Sequence, residues 1–166
     1  MQVYLNTDGK VLKLTNALFG LLFAVFCASS SYAQDLDARV IAHSKVNQET
    51  ISERQLRRVF MLKQRSWDDG SQISLVVFSS EDEKHALFLR RRLKLFPYQL
   101  EREWNKLIYS GQSAPPIVAT DTETMLQIVS TTPGAIGYVV SQSEAGTQHL
   151  IEDENHSIKT LKVIAP

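Results

Sequence analysis

The run Ile73-Ser74-Leu75-Val76-Val77-Phe78 constrains the fold more than any other stretch of this sequence. It is rich in strand-forming residues but lacks the alternation of apolar and polar positions that a strand with one wet face would show. A strand buried on both faces needs helices to cover it, so the run predicts a layered α/β domain. The next segment supports this. In "SSEDEKHALFLRRRLKLF" the acids Glu81, Asp82 and Glu83 come first and Arg90, Arg91, Arg92 and Lys94 come last. That order complements a helix dipole at both ends. Ala86, Leu89, Leu93 and Phe96 recur at spacings of three and four, which predicts one buried helix face.

The remaining elements are read the same way. "RVIAH" (Arg39 to His43) predicts a short buried strand. "TISERQLRRVF" predicts a helix capped by Ser52 or Thr50, with Ile51, Leu56, Val59 and Phe60 inward. Asp69-Gly70 is a turn leading into the apolar run. Pro97 ends one helix and opens the next, whose inward residues are Leu100, Trp104, Leu107 and Ile108, and Gly111 closes it. "IVAT" predicts a strand, and Thr120 or Asp121 caps the helix "TETMLQIVS". Pro133-Gly134 then forces the chain out of helix into the strand "AIGYVV", where Gly137 marks a bulge or a close approach by another backbone or a ligand. Two apolar runs, "HLI" and "IKTLKVIAP", complete the chain. The expectation is a single domain with a parallel or mixed sheet flanked by helices. Any ligand belongs at loops beyond the carboxyl ends of strands: after Phe78, after Thr120 and around Ser44.

The N-terminus reads as a targeting segment. Lys10 and Lys13 precede the apolar run Ala17 to Ala28, and Ser31-Tyr32-Ala33 is a small-residue cleavage pattern. Residues 1–33 are therefore expected to be a signal peptide, cleaved between Ala33 and Gln34, with periplasmic residence for the 34–166 domain. Cys27 follows Phe26, which does not suit lipidation, and it is the only cysteine, so the exported part would hold no disulfide. Of the 18 basic and 18 acidic residues, the leader holds Lys10, Lys13 and Asp8, so the rest is close to neutral. That balance lacks the basic excess of a nucleic-acid binder.

Two segments carry a family resemblance. "ISERQLRRVFMLKQRSWDDGSQI" and "TTPGAIGYVV" resemble, in the same order, segments of phosphate-type periplasmic solute-binding proteins. The resemblance implies a type II periplasmic-binding-protein-like fold, in which two α/β lobes hold an anion between them. Those proteins are about twice this length, so the chain is most similar to the short members with a single lobe. It also departs from the family at the anion loop. On this alignment Phe78 stands where the family has Arg, and Asp82-Glu83-Lys84 stand where it has Ser-Gly-Thr.

The candidate ligand-binding residues are Ser79 and Ser80, at the start of the helix after Phe78, and Ser113 in the loop "SGQSAPP". Beside that reading stands a simpler one, in which Glu81, Asp82 and Glu83 cap the helix themselves. The run Arg90-Arg91-Arg92 with Lys94, joined by Arg54, Arg57 and Arg58, is either a docking surface for an acidic partner or a solvated helix face. His43, His85, His149 and His156 have no metal-ligand spacing, and no nucleophile elbow, phosphate-cradling glycine loop or carboxylate pair appears. No metal, cofactor or enzymatic activity is expected. Two readings result. One is an exported oxyanion-binding protein, associated with an ABC transporter by resemblance, for an ion such as phosphate, with a homodimer or partner closing over the ligand. The other is a periplasmic interaction or signalling module, with a periplasmic or membrane protein as partner, that has lost ligand binding.

Overall fold

The computed structural model describes residues 37–141 and 157–165. The chain runs β1 (Asp37–His43), β2 (Thr50–Ser52), α1 (Glu53–Phe60), β3 (Ser74–Phe78), α2 (Glu83–Phe88), a π-helical turn (Leu89–Leu93), α3 (Pro97–Tyr109), β4 (Ile117–Ala119), α4 (Thr122–Thr131), β5 (Ala135–Ser141) and β6 (Ile158–Ile164). The strands form one six-stranded sheet in the order β2-β6-β1-β5-β3-β4. It is a mixed sheet. β3 pairs parallel with β4 and β5, and β2 pairs parallel with β6. β1 runs antiparallel to both β5 and β6, with Ile41 opposite Gly137 and Thr160.

The covering of both faces follows from one strand. Successive residues of β5 point to opposite sides. A Cβ on Gly137 would meet Met125 Sδ at 2.6 Å and Val129 Cγ2 at 3.2 Å, which places α4 against that face. Tyr138, next in the chain, stacks on Phe88 of α2 at 3.9 Å between centroids and touches Phe60 of α1, so α1 and α2 cover the other. Leu75 to Phe78 of β3 are buried throughout, as the unalternating run predicts. Gly137 pairs in regular register with Ile41 and so is not at a bulge, and besides the helix side chains a Cβ there would meet the backbone oxygen of Val76 at 3.4 Å. It makes room for helix side chains.

Local signals operate as their chemistry dictates. Ser52 caps α1 by accepting from Gln55 N at 3.1 Å, and Asp121 caps α4 by accepting from Thr124 N at 2.7 Å. Gly134 adopts φ +77°, and its carbonyl accepts from Trp67 Nε1 at 3.0 Å and Ser74 N at 3.2 Å. The turn that opens β5 is thus locked to the loop that precedes β3.

Two expectations need correction. Ile51 lies in β2, paired with β6, and not on α1. The helix after Phe78 is broken: α2 spans six residues, the π-helical turn follows, and Lys94 ends it with φ 53°. The extra residue of the π turn rotates the buried face, so that His85, Phe88, Leu89 and Leu93 point inward while Phe96 is 53% exposed. The apolar run "HLI" and both His149 and His156 lie outside the described residues.

Candidate functional site

Parallel pairing brings the carboxyl ends of β3 and β4 together, and with them the N-termini of α2 and α4. This end of the sheet is where an α/β fold offers backbone N–H groups to a ligand. Here the protein uses them itself. Asp82 N donates to Ser79 O at 2.9 Å, and the Asp82 carboxylate accepts from Lys84 N at 2.7 Å. Asp121 does the same for α4, and its carboxylate also accepts from Thr120 Oγ1 at 2.9 Å. The Thr124 backbone bond, then the threonine hydroxyls, hold the Asp121 carboxyl below its ordinary range.

Charge at this end is predominantly negative. Segments 79–84 and 120–124 hold Glu81, Asp82, Glu83, Asp121 and Glu123 against one cation, Lys84. The Lys84 ammonium lies 5.2 Å from the centre of the Phe78 ring and 3.5 Å from Thr122 Oγ1, bridging the two helix starts. Phe78 itself is buried and supplies no charge. The arrangement has hydroxyls from Ser79 and Ser80 and one lysine for an anion, set among five carboxylates.

The three candidate serines do not converge. Ser79 and Ser80 follow the carboxyl end of β3, whereas Ser113 lies ahead of Ile117 in a cavity lined by Ser74 and Leu75, at the amino end of the same strand. Five strand residues separate the ends by roughly 15 Å, too far for one small oxyanion. The loop at Ser44 is likewise removed, because β1 runs antiparallel to β5 and its carboxyl end points the other way. Running β1 parallel to β5 would have brought the Ser44 loop to the end that carries Ser79 and Ser80, whereas Ser113 stands at the other end because β4 is parallel to β3 and its preceding loop lies at their amino ends.

The arginines divide by role. Arg57 Nη1 donates to Leu93 O at 3.5 Å, which brings the exposed row Arg54, Arg57 and Arg58 of α1 beside Lys94. Arg92 turns away from that surface, donating to Ala38 O at 2.6 Å and pairing with Asp37 at 3.2 Å. Beyond Lys94, Phe96 and Tyr98 stack at 6.0 Å and stand 53% and 66% exposed.

A buried polar cluster escaped the sequence. His85 Nδ1 lies 2.6 Å from the Tyr138 hydroxyl, which accepts from Phe78 N at 3.1 Å, and His85 Nε2 is buried with no partner among the described residues. Burial pushes the His85 pKa down to about 4, with Glu101 and Asp82 opposing the shift, and it pushes the Tyr138 hydroxyl well above its ordinary range. Both side chains are therefore neutral at physiological pH. Position within an apolar run was the only available signal. Among the described residues no group of three or more His, Cys, Asp or Glu side chains is placed to hold a metal ion.

The result is a mixed sheet covered on both faces, with loops and helix N-termini assembled at one end. Solved structures with a similar fold include proteins described by phosphate transport or binding. One is an ABC-type phosphate transport receptor from Vibrio cholerae, at 12% identity and TM-score 0.56 over 80% of this chain and 48% of that one. Another solved structure of similar fold is PstS from Borrelia burgdorferi, at 14% identity and TM-score 0.52 over 78% of this chain and 51% of that one. The likeness is one of fold, and the chain spans about half the length of these structures. No family model matches the sequence, and no curated protein does.

Proposed function

We propose that this chain is an exported, phosphate-type solute-binding-like domain of a single lobe, whose anion loop after β3 is degenerate. The observation that carries the reading is the joining of two facts at one place. The fold is similar to about half of a phosphate transport receptor and of a phosphate ABC transporter substrate-binding protein, and the loop ends that would face an anion are capped by Asp82 and Asp121. In this reading a small oxyanion meets Ser79, Ser80 and Lys84, and a second copy of the chain or a partner protein in the periplasm closes over it. No helix among the described residues is long and apolar enough to cross a membrane. Export predicts a processed protein beginning at Gln34, which intact mass measures directly.

The test is phosphate titration calorimetry on the purified protein and on an Asp82→Ser, Glu83→Gln variant. Serine keeps the helix cap while both charges go. If the oxyanion site lies at this loop, the variant gains affinity and the wild type is weak.

A second reading, an interaction or signalling module that has lost its ligand, draws on a different observation. Arg54, Arg57, Arg58 and Lys94 form one exposed basic surface continuing to the stacked Phe96 and Tyr98, and arginine beside exposed aromatic rings is the composition of protein interfaces. Equal and negligible phosphate binding by both proteins in the calorimetry favours this second reading.

A further inference from the structure

At the end of the sheet opposite Ser79 and Ser80, a cavity of about 440 Å³ opens between the end of α1, the start of β3 and segment 111–117. Its volume is in the range of small-molecule sites. Val59, Leu62 and Leu75, all buried, supply apolar lining with Pro115, and Gln64, Gln72, Ser74, Gln112 and Ser113 supply polar lining beside it. Leu62 has φ 58°, a left-handed conformation that side chains other than glycine rarely adopt, and in that conformation its side chain borders the cavity. The walls are tied in place. Gln112 N and Ser113 N both donate to Leu107 O, at 2.9 and 3.2 Å, and Ile73 N donates to Arg65 O at 2.9 Å.

Arg65, an exposed residue at the cavity's edge, is its charged group. Its Nη1 donates to the carbonyl of Gln112, drawing the two loops together. That bond engages one of five guanidinium N–H donors. No Asp or Glu lines the cavity, and among the described residues Arg65 makes no ion pair. A cation without a carboxylate, set beside an apolar lining, complements a ligand that is anionic at one end and apolar at the other.

We propose that this cavity binds a small organic carboxylate, with Arg65 holding the carboxylate and Leu62, Leu75 and Pro115 covering the apolar body. Inorganic phosphate would engage Arg65 and leave the apolar lining in water. A neutral alkyl compound would fill the lining and leave Arg65 unpaired. The inference does not depend on the oxyanion reading, because the two sites lie at opposite ends of β3.

The experiment is an amide chemical-shift titration of the purified protein with hexanoate, run beside hexan-1-ol and inorganic phosphate. Hexanoate is expected to give saturable shifts confined to residues 62–65, 72–75 and 111–117, with hexan-1-ol at least about tenfold weaker. Arg65→Gln should weaken hexanoate at least about tenfold, while Arg102→Gln, an exposed arginine of α3 outside the cavity lining, changes nothing. Because Arg65→Gln also removes the Gln112 contact, Ser113→Phe provides an independent check, filling the cavity with the guanidinium intact and abolishing the shifts. Equal binding of hexanoate and hexan-1-ol, hexanoate binding retained in Ser113→Phe, shifts centred on residues 79–84, or no saturable shift at all would each overturn the proposal.

Discussion

The Nδ1 atom of His85 lies 2.6 Å from the hydroxyl of Tyr138, at the point where α2 crosses β5. Phe78 N also donates to that oxygen, and His85 Nε2 is buried with no partner among the described residues. Tyr138→Phe keeps the stack on Phe88 but leaves Phe78 N and His85 Nδ1 without this partner. The expected loss is about 1–3 kcal/mol, read as a lower urea midpoint with unchanged slope.

The same histidine makes stability depend on pH. Its folded pKa, about 4, is below the ordinary value of 6.5, so the unfolded chain binds more protons between the two. Stability is therefore complete above about pH 6.5, falls as pH drops toward 4, and loses nothing further from this group below that. The span corresponds to a loss on the order of 3 kcal/mol. Urea unfolding from pH 7 to 4 measures it, and His85→Gln, which cannot titrate, should flatten this component.

Gly134 and Gly137 are expected to respond differently to substitution. A Cβ on Gly134 would overlap Gln72 O, a backbone atom, at a residue with φ +77°. Gly134→Ala should cost roughly 3 kcal/mol or more. At Gly137 the nearest atom is the thioether of Met125, which can move, so alanine there is milder. Gly137→Val adds bulk against Val129 as well and should cost at least about 2 kcal/mol. Thermal melts of the three variants give the order.

Lys94→Gly should stabilise the protein. Lys94 is exposed and ends the π-helical turn with φ 53°, a conformation that costs a side chain roughly 1 kcal/mol and glycine almost nothing. The lost bond from its ammonium to Arg91 O, at 2.9 Å, is exposed and offsets little of this. The expected gain is about 0.5–1 kcal/mol by urea midpoint.

Phosphate binding by the wild type should be no tighter than about 1 mM near pH 7.5. A carboxylate roughly 5 Å from the ion, at an effective dielectric of about 20, opposes it by about 3 kcal/mol, or about two orders of magnitude. Asp82 and Glu83 both stand at the start of α2. Micromolar binding in calorimetry would show that the ion is held elsewhere.

What the sequence determined by itself is what a few neighbouring residues decide. An unalternating apolar run must be buried on both faces, Ser52 and Asp121 offer side-chain oxygens to the N–H groups three residues on, and Pro133-Gly134 cannot continue a helix. The two segments that carried the family resemblance also touch, through the hydrogen bond from Trp67 to Gly134, a contact that neither segment records alone. Tertiary structure decided the rest. Whether β1 runs with or against β5 depends on pairing between residues about a hundred positions apart, and that choice separated Ser44 from the loop after β3. Ser113 went to the opposite end from Ser79 because the parallel register of β3 and β4 places the loop before β4 there, and no spacing within the loop records that. His85 meets Tyr138 across 53 positions only after the sheet and helices have packed. Local chemistry acts within a turn or two of chain, whereas direction, register and side-chain encounters depend on the packing of the whole domain.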